Sequence, residues 1–178
     1  ETRLPKVEKA AKSGGDREAK AMLEILKKYK AVLEQGKSAR TVTFESKDDI
    51  KLAKELCLLT AKPVLYVCNV DEKSAVNGNK YTEQVEKIAK EEGAEILIVA
   101  AKIESDIAEF ETLEEKQMFL EELGLEESGV ARLIKKAYHL LNLQTYLTAG
   151  VQEVRAWTFT KGWKAQQCAG VIHTDCEK

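Results

Sequence analysis

The sequence predicts an α/β protein: a parallel sheet of short buried strands, joined to a helical hairpin and followed by a β-rich segment. Three observations predict it. Two uninterrupted apolar runs, Val64–Cys68 and Ile96–Val99, flank a stretch with helical periodicity, the pattern of a βαβ unit whose strands are buried on both faces. Residues 1–40 carry apolar side chains at helical spacing on either side of Gly14-Gly15. Beyond Asn142 the texture changes to β-branched and aromatic residues in alternation.

The elements follow in order. Met22, Ile25, Leu26, Tyr29 and Leu33 form one apolar stripe, with Leu4, Val7 and Ala11 as its partner strip. Such narrow stripes suit two helices packed on each other as a projecting arm. Asp16 is placed to cap the second helix and Gly36 to end it, while Pro5 limits or kinks the first. Ser46-Lys47-Asp48-Asp49 resembles a capping box with Asp in place of Glu, opening a helix through Leu52, Leu56 and Leu59. After the first strand, Asn77-Gly78-Asn79 gives turn chemistry. A helix through Val85, Ile88 and Ala89 ends at Gly93 before the second strand, and the crossover should be right-handed. Thr112 to Glu115 is another capping box. Helix continues to about Asn142, punctuated at Gly124 and Gly129, with Leu133, Ile134, Ala137 and Leu141 lining its last segment. Gln144–Thr148 and Glu153–Phe159 read as a hairpin around Ala149-Gly150.

The 178 residues include 28 basic and 30 acidic side chains, for a net charge of -2, and 44% are apolar. This is a globular composition. No apolar run approaches the ~18 residues that cross a membrane. The chain starts at Glu1 without a signal-peptide pattern and without an initiator Met, which reads as a fragment of a longer, cytoplasmic protein. Cys57, Cys68, Cys168 and Cys176 include no CxxC pair. They read as buried free thiols of a reducing compartment rather than as a metal site or disulfides. Cys168, His173 and Cys176 match no zinc spacing, and no metal site is expected. Charge is uneven: residues 1–40 hold 11 basic and 6 acidic residues, and residues 104–127 hold 1 basic and 10 acidic. A basic arm, with Lys27, Lys28 and Lys30 as candidate contacts, suits an anionic partner such as RNA. Two solvated helix faces would give the same pattern.

Ligands of open α/β sheets bind beyond the carboxyl ends of the strands. Two loops lie there: Asn69-Val70-Asp71-Glu72 after the first strand, and Ala100-Ala101-Lys102 after the second. An amide can both donate and accept toward a nucleobase edge, and a carboxylate three residues later can accept from its N–H groups. The second loop can offer a backbone N–H to a base acceptor. A capped, solvated turn would also begin Asn-x-x-Glu.

The run Lys62-Pro63-Val64-Leu65-Tyr66-Val67-Cys68-Asn69-Val70-Asp71-Glu72 resembles the base-recognition segment of YchF-type, Obg-like P-loop ATPases, which carry Asn-x-x-Glu where ordinary GTPases carry Asn-Lys-x-Asp. Leu141 to Tyr146, Thr148-Ala149-Gly150, Glu153 to Thr158 and Ala169 to Asp175 are similar to that family's TGS domain. The basic hairpin is similar to its helical arm. The resemblance implies a partial P-loop NTPase-type sheet with three parts: an arm at 1–45, the second half of a G domain at 46–142, and the start of a small α+β TGS domain at 143–178. It implies a nucleotide-base site at Asn69, Val70, Glu72 and Ala101, with ATP or GTP as nucleotide and Mg²⁺ as the parent's cofactor. It also implies ribosomes or ribosomal RNA as partners, with no membrane partner and no DNA specificity. Ala100 stands where many GTPases have Ser, and Cys176 where the family has an aromatic residue.

No residue of this chain is expected to be catalytic. A phosphate site needs GxxxxGK(S/T) between strand and helix. Gly36-Lys37-Ser38 is preceded by a helical pattern and has Ala31 where the first Gly belongs. Phosphoryl transfer depends on positioning and neutralising phosphates, and the resemblance places those groups upstream of Glu1. The chain is therefore expected to be inactive alone. The reading from another class is a non-catalytic helical module that binds RNA or protein. His139, His173, Trp157 and Trp163 read as packing or surface residues.

Overall fold

The structure, a computed structural model, describes residues 2–13 and 17–177. Asp16, the expected cap, lies outside them, as does the side chain of Cys176. The chain divides into two compact units, residues 1–63 and 64–178.

The first unit is helical. Helix α1 spans Leu4–Ser13 and α2 spans Arg17–Glu34, paired as a hairpin. Pro5 sits in the first turn of α1, where its missing N–H has no intrahelical partner to lose. It therefore limits the helix at its start, one of the two outcomes that the sequence allows. Helix α3 spans Lys47–Glu55. The stripe of α2 buries Met22, Ile25 and Tyr29 with Ala39 and with Leu52 and Ala53 of α3, and Val7 of α1 packs against this cluster. Tyr29 meets Phe44 edge-on, ring centres 5.5 Å apart. Helix α2 has eighteen residues against ten in α1, and its apolar face is shared with α3. The unit boundary at Pro63 falls inside the segment 46–142 that the family resemblance groups together.

Two local expectations change here. Ser46 Oγ accepts from the Asp48 N–H at 3.2 Å, but Asp49 makes no return bond, being one methylene shorter than the usual Glu. Helix α3 stops at Glu55 instead of running to Leu59, which is 80% exposed. Cys57 ends it in the left-handed region at φ 50° and is exposed, not buried. That conformation costs a residue with a Cβ ~1–2 kcal/mol, and glycine is the usual occupant. Cys57→Gly is expected to stabilise the protein by about 0.5 kcal/mol, glycine's larger unfolded-state entropy offsetting the rest. A denaturant midpoint that fails to rise would refute this.

The second unit holds the sheet. Strand β1, Leu65–Asn69, runs parallel to β2, Glu95–Val99, in register Leu65↔Glu95 through Asn69↔Val99. Helix α4, Lys80–Glu92, connects them. Asn79 caps it, Oδ1 accepting from the N–H groups of Tyr81 at 2.9 Å and Thr82 at 3.1 Å, and Gly93 closes it at φ 66°. Within the described residues Val67 is 47% exposed, where the apolar run predicts burial. Helices α5 (Ala101–Glu109), α6 (Leu113–Glu122) and α7 (Gly129–Leu140) follow. Thr112 and Glu115 form the expected reciprocal box. The core gathers Ala75, Ala100, Ile103, Ile107, Leu120 and Leu125.

Helix α7 lies along β2. Arg132 Nη2 donates to the Ile98 carbonyl at 2.9 Å, and Glu95 takes Lys136 Nζ and His139 Nδ1, each at 3.0 Å. Those two bonds hold the Glu95 carboxyl below the usual carboxylate range. An antiparallel hairpin, β3 (Leu143–Ala149) and β4 (Val154–Thr160), and helix α8 (Ala165–Ile172) complete the unit. No helix among the described residues is long and apolar enough to cross a membrane.

Candidate functional site

The parallel register ends β1 and β2 side by side at Asn69 and Val99. Their following loops are stitched together twice. The Val70 N–H donates to the Val99 carbonyl at 2.8 Å, and the Ala101 N–H donates to Asn69 Oδ1 at 3.0 Å. Ala100 has no side-chain oxygen to cap α5, and the first amide of that helix is satisfied instead by Asn69, 32 residues upstream. Helix termini need such partners.

The candidate residues are therefore placed as follows. Asn69 and Ala101 are exposed and in contact. The Ala101 N–H, expected to serve a base acceptor, is donated to Asn69. The Asn69 oxygen is thereby fixed as a brace, and its NH₂ group remains to donate outward. Val70 is half-buried against the cluster of Ala75, Ala100 and Ile103, so it supports the loop as core. Asp71 Oδ1 accepts from the Ser74 N–H at 2.9 Å, and the hydrogen bonds to Ser74 hold its carboxyl below the usual range. Glu72 opens the short turn Glu72–Ser74 and is exposed; its carbonyl accepts from the Ala75 N–H at 3.2 Å, and its carboxylate has no hydrogen bond to a described residue. Lys102 pairs with Asp106, which raises its ammonium above the ordinary lysine value, with smaller contributions from Glu109 and Glu72. The loop chemistry is thus a fixed amide donor, a free carboxylate and a small apolar surface, all at one end of the sheet.

Lys27, Lys28 and Lys30 are exposed on α2 in the first unit. Lys27 pairs with Glu24 at 2.9 Å and Lys30 with Glu34 at 3.6 Å, while Lys28 lies 5.5 Å from the Phe44 ring centre. Part of the arm's positive charge is therefore answered locally. The remaining singled-out residues have local roles. His173 Nδ1 accepts from the Asp175 N–H at 3.2 Å, as a helix-start residue would. Trp157 is half-buried, donates to Thr148 Oγ1 at 2.9 Å, and carries the Arg155 guanidinium 4.2 Å above its ring. Among the described residues, no group of three or more His, Cys, Asp or Glu is gathered to hold a metal ion.

Glu104 and Gly129 are not singled out as partners by the sequence pattern, yet both build this end of the sheet. Glu104 Oε1 accepts from the Gly129 N–H at 2.6 Å and Oε2 from the Val130 N–H at 3.1 Å. A Cβ on Gly129 would collide with Val99 Cγ1, so only glycine lets α7 approach β2 this closely. The available signal was a glycine directly after the capping Ser128, at a helix start where no turn needs it.

A parallel βαβ unit whose two loops are joined at the carboxyl end of its strands, consistent with part of a P-loop NTPase-type sheet, defines the class as α/β. Comparison with known proteins narrows it. Residues 143–178 match the family model YchF-GTPase_C, described as "Protein of unknown function (DUF933)". "Ribosome-binding ATPase YchF" of Bacillus subtilis is 53% identical over 180 residues, covering 100% of this chain and 48% of that protein. The protein of the same name from Haemophilus influenzae is 47% identical, with the same coverage. The solved structure of the Schizosaccharomyces pombe YchF GTPase superposes with a TM-score of 0.81 at 34% identity, over 99% of this chain and 48% of that one. Over its whole length the chain is similar to proteins of the YchF family, and it spans about half the length of the curated relatives it matches.

Proposed function

We infer that this chain is the base-reading and partner-binding part of a cytoplasmic, ribosome-associated ATPase. Its arm would be residues 1–45, its G-domain half 46–142, and the start of its TGS domain 143–178. The observation that carries the reading is the bond between Asn69 Oδ1 and the Ala101 N–H, which ties both loops together and leaves the Asn69 NH₂ without a bond to a described residue. Asn69 and Glu72 would contact the base, Ala101 would lie beside it, and Val70 would hold the loop from behind. ATP and Mg²⁺ would be held chiefly by phosphate-binding residues outside this chain, so residues 1–178 alone would not turn ATP over.

ATP is favoured over GTP on geometric grounds. A guanine-selective site sets a short carboxylate against the ring N–H and exocyclic amine of guanine. Adenine would leave such an acceptor unpaired at ~1–3 kcal/mol. Glu72 is one methylene longer and has no brace of its own, so that penalty need not arise. The test is competition between ATP and GTP for the full-length protein, then for its Asn69→Ala and Glu72→Ala variants. We expect no strong GTP preference and an ATP affinity about tenfold lower in Asn69→Ala. A hundredfold preference for GTP, or unaltered binding in both variants, would end the reading.

The arm supports a polyanionic partner, for which ribosomal RNA is the proposal, as the relatives are named ribosome-binding. Neutralising Lys27, Lys28 and Lys30 together in the full-length protein is expected to weaken ribosome binding and flatten its salt dependence. The slope of log affinity against log salt should fall by about one for each phosphate that no longer has a lysine to neutralise it. An unchanged slope would remove these lysines from the interface.

A further inference from the structure

Glu104 stands one turn into α5 and joins three pieces of the second unit. Its own N–H donates to the Ala100 carbonyl at 3.2 Å, its backbone belongs to α5, and its carboxylate holds the first two amides of α7. A carboxylate accepting two backbone N–H groups is a strong, directional clasp. It shares the capping of α7 with Ser128, whose Oγ accepts from the Ala131 N–H at 3.1 Å. What the clasp adds is a link between helices. Helix α7 is fastened to β2 by Arg132 on Ile98 and by Lys136 and His139 on Glu95. Through Glu104 that fixed helix holds α5 by the same end that carries the Ala101 N–H. Gly129 permits the short distance, since a Cβ there would also lie 2.9 Å from Glu104 Oε1.

We propose that Glu104 is a positioning residue for the nucleobase: by clasping α5 to α7 it holds the Ala101 N–H on Asn69 Oδ1, and so keeps the Asn69 NH₂ aimed at the base. This rests on the reading of Asn69 as a base contact. Glu104 touches no ligand in this scheme and acts only through Asn69. Two consequences separate it from a structural cap. Its loss affects the nucleobase and not the phosphates, and it has no further effect once Asn69 is gone.

The experiment measures ATP and inorganic tripolyphosphate binding, both with Mg²⁺, to the full-length protein and to its Asn69→Ala, Glu104→Ala, Glu104→Gln, Ser128→Ala and Asn69→Ala/Glu104→Ala variants. Expected is a loss of about tenfold in ATP affinity for Asn69→Ala and for Glu104→Ala, with tripolyphosphate unchanged, and a double variant no weaker than Asn69→Ala alone. Glu104→Gln keeps one acceptor oxygen and should lose about threefold. It also carries the test if Glu104→Ala does not fold. Ser128→Ala should lower the melting temperature while keeping ATP affinity. An additive double variant overturns the proposal. So does ATP affinity at the wild-type level in both Glu104 variants while Asn69→Ala loses it, or a loss in Ser128→Ala equal to that in Glu104→Ala. ATP affinity unchanged in Asn69→Ala would instead sink the base reading itself, and this proposal with it.

Discussion

Gly129→Ala is expected to destabilise the second unit by about 3 kcal/mol, the upper end of the usual cost of forcing one methyl into a packed site. The methyl would overlap Val99 Cγ1 and lie 2.9 Å from Glu104 Oε1. The carboxylate can rotate away, but Val99 cannot easily do so. It is β-branched, with a stiff χ1, and its backbone is paired with β1 opposite Asn69. Relief must come from α7 backing off β2, which stretches the Glu104 clasp and the Arg132 bond to Ile98 together. Denaturant unfolding should show a lower midpoint at an unchanged slope. Val99→Ala in the same chain removes the obstructing methyl, so the double variant should regain part of the loss. If Gly129→Ala costs under about 0.5 kcal/mol, or if Val99→Ala adds its own loss in full, the close approach is not what constrains this position.

Ile103→Ala should cost about 3 kcal/mol, in the range for buried Ile to Ala. Ile103 is 2% exposed and packs in the cluster with Ala100, Ile107, Leu120 and Leu125. Its removal takes away buried methyl groups and leaves a void that α5 and α6 close only in part. The neighbouring Ile107, 9% exposed on the same helix, gives an internal comparison, and Ile107→Ala should cost less. A loss at Ile103 no larger than that at Ile107 would mean the cluster collapses freely around the gap. Because Ile103 follows Ala101 by two residues, ATP affinity of the full-length protein should fall along with stability in this variant. Ser128→Ala should show no such pairing.

What the sequence made legible was local. The helices of the hairpin, the two apolar strands, the Thr112–Glu115 box and the stop at Gly93 each rest on a few neighbouring residues whose preferences agree with the final structure. Asn69 and Ala101 could be placed together because both follow consecutive parallel strands, and topology alone brings such loops to one end. The bond between them was not legible, since nothing in Asn-x-x-Glu says that the amide oxygen turns toward the next loop. Cys57 was misread because a leucine-rich run masks a helix end that is set by backbone closure. The apolar run through Val67 reports what a strand can tolerate, while its exposure in the described residues depends on which layers surround it. Glu104 and Gly129 lie 25 residues apart, and taken singly they look like a surface charge and a loop glycine.

Arg132 has a consequence for the order of events during folding. Among the described residues strand β2 pairs with β1 on one edge only, and an open edge is a template for another chain. The guanidinium on the Ile98 carbonyl closes part of that edge, but it arrives from 34 residues further along. As the polypeptide leaves the ribosome, β1 and β2 are complete well before α7 exists. For that interval the strand is unguarded and its apolar face is only partly covered, the condition under which nascent α/β proteins aggregate. The two strands are also a non-local pairing across α4, which is slow to form. The guard therefore protects the finished molecule and not the nascent one, and the interval before α7 emerges is when a chaperone would matter most to this chain.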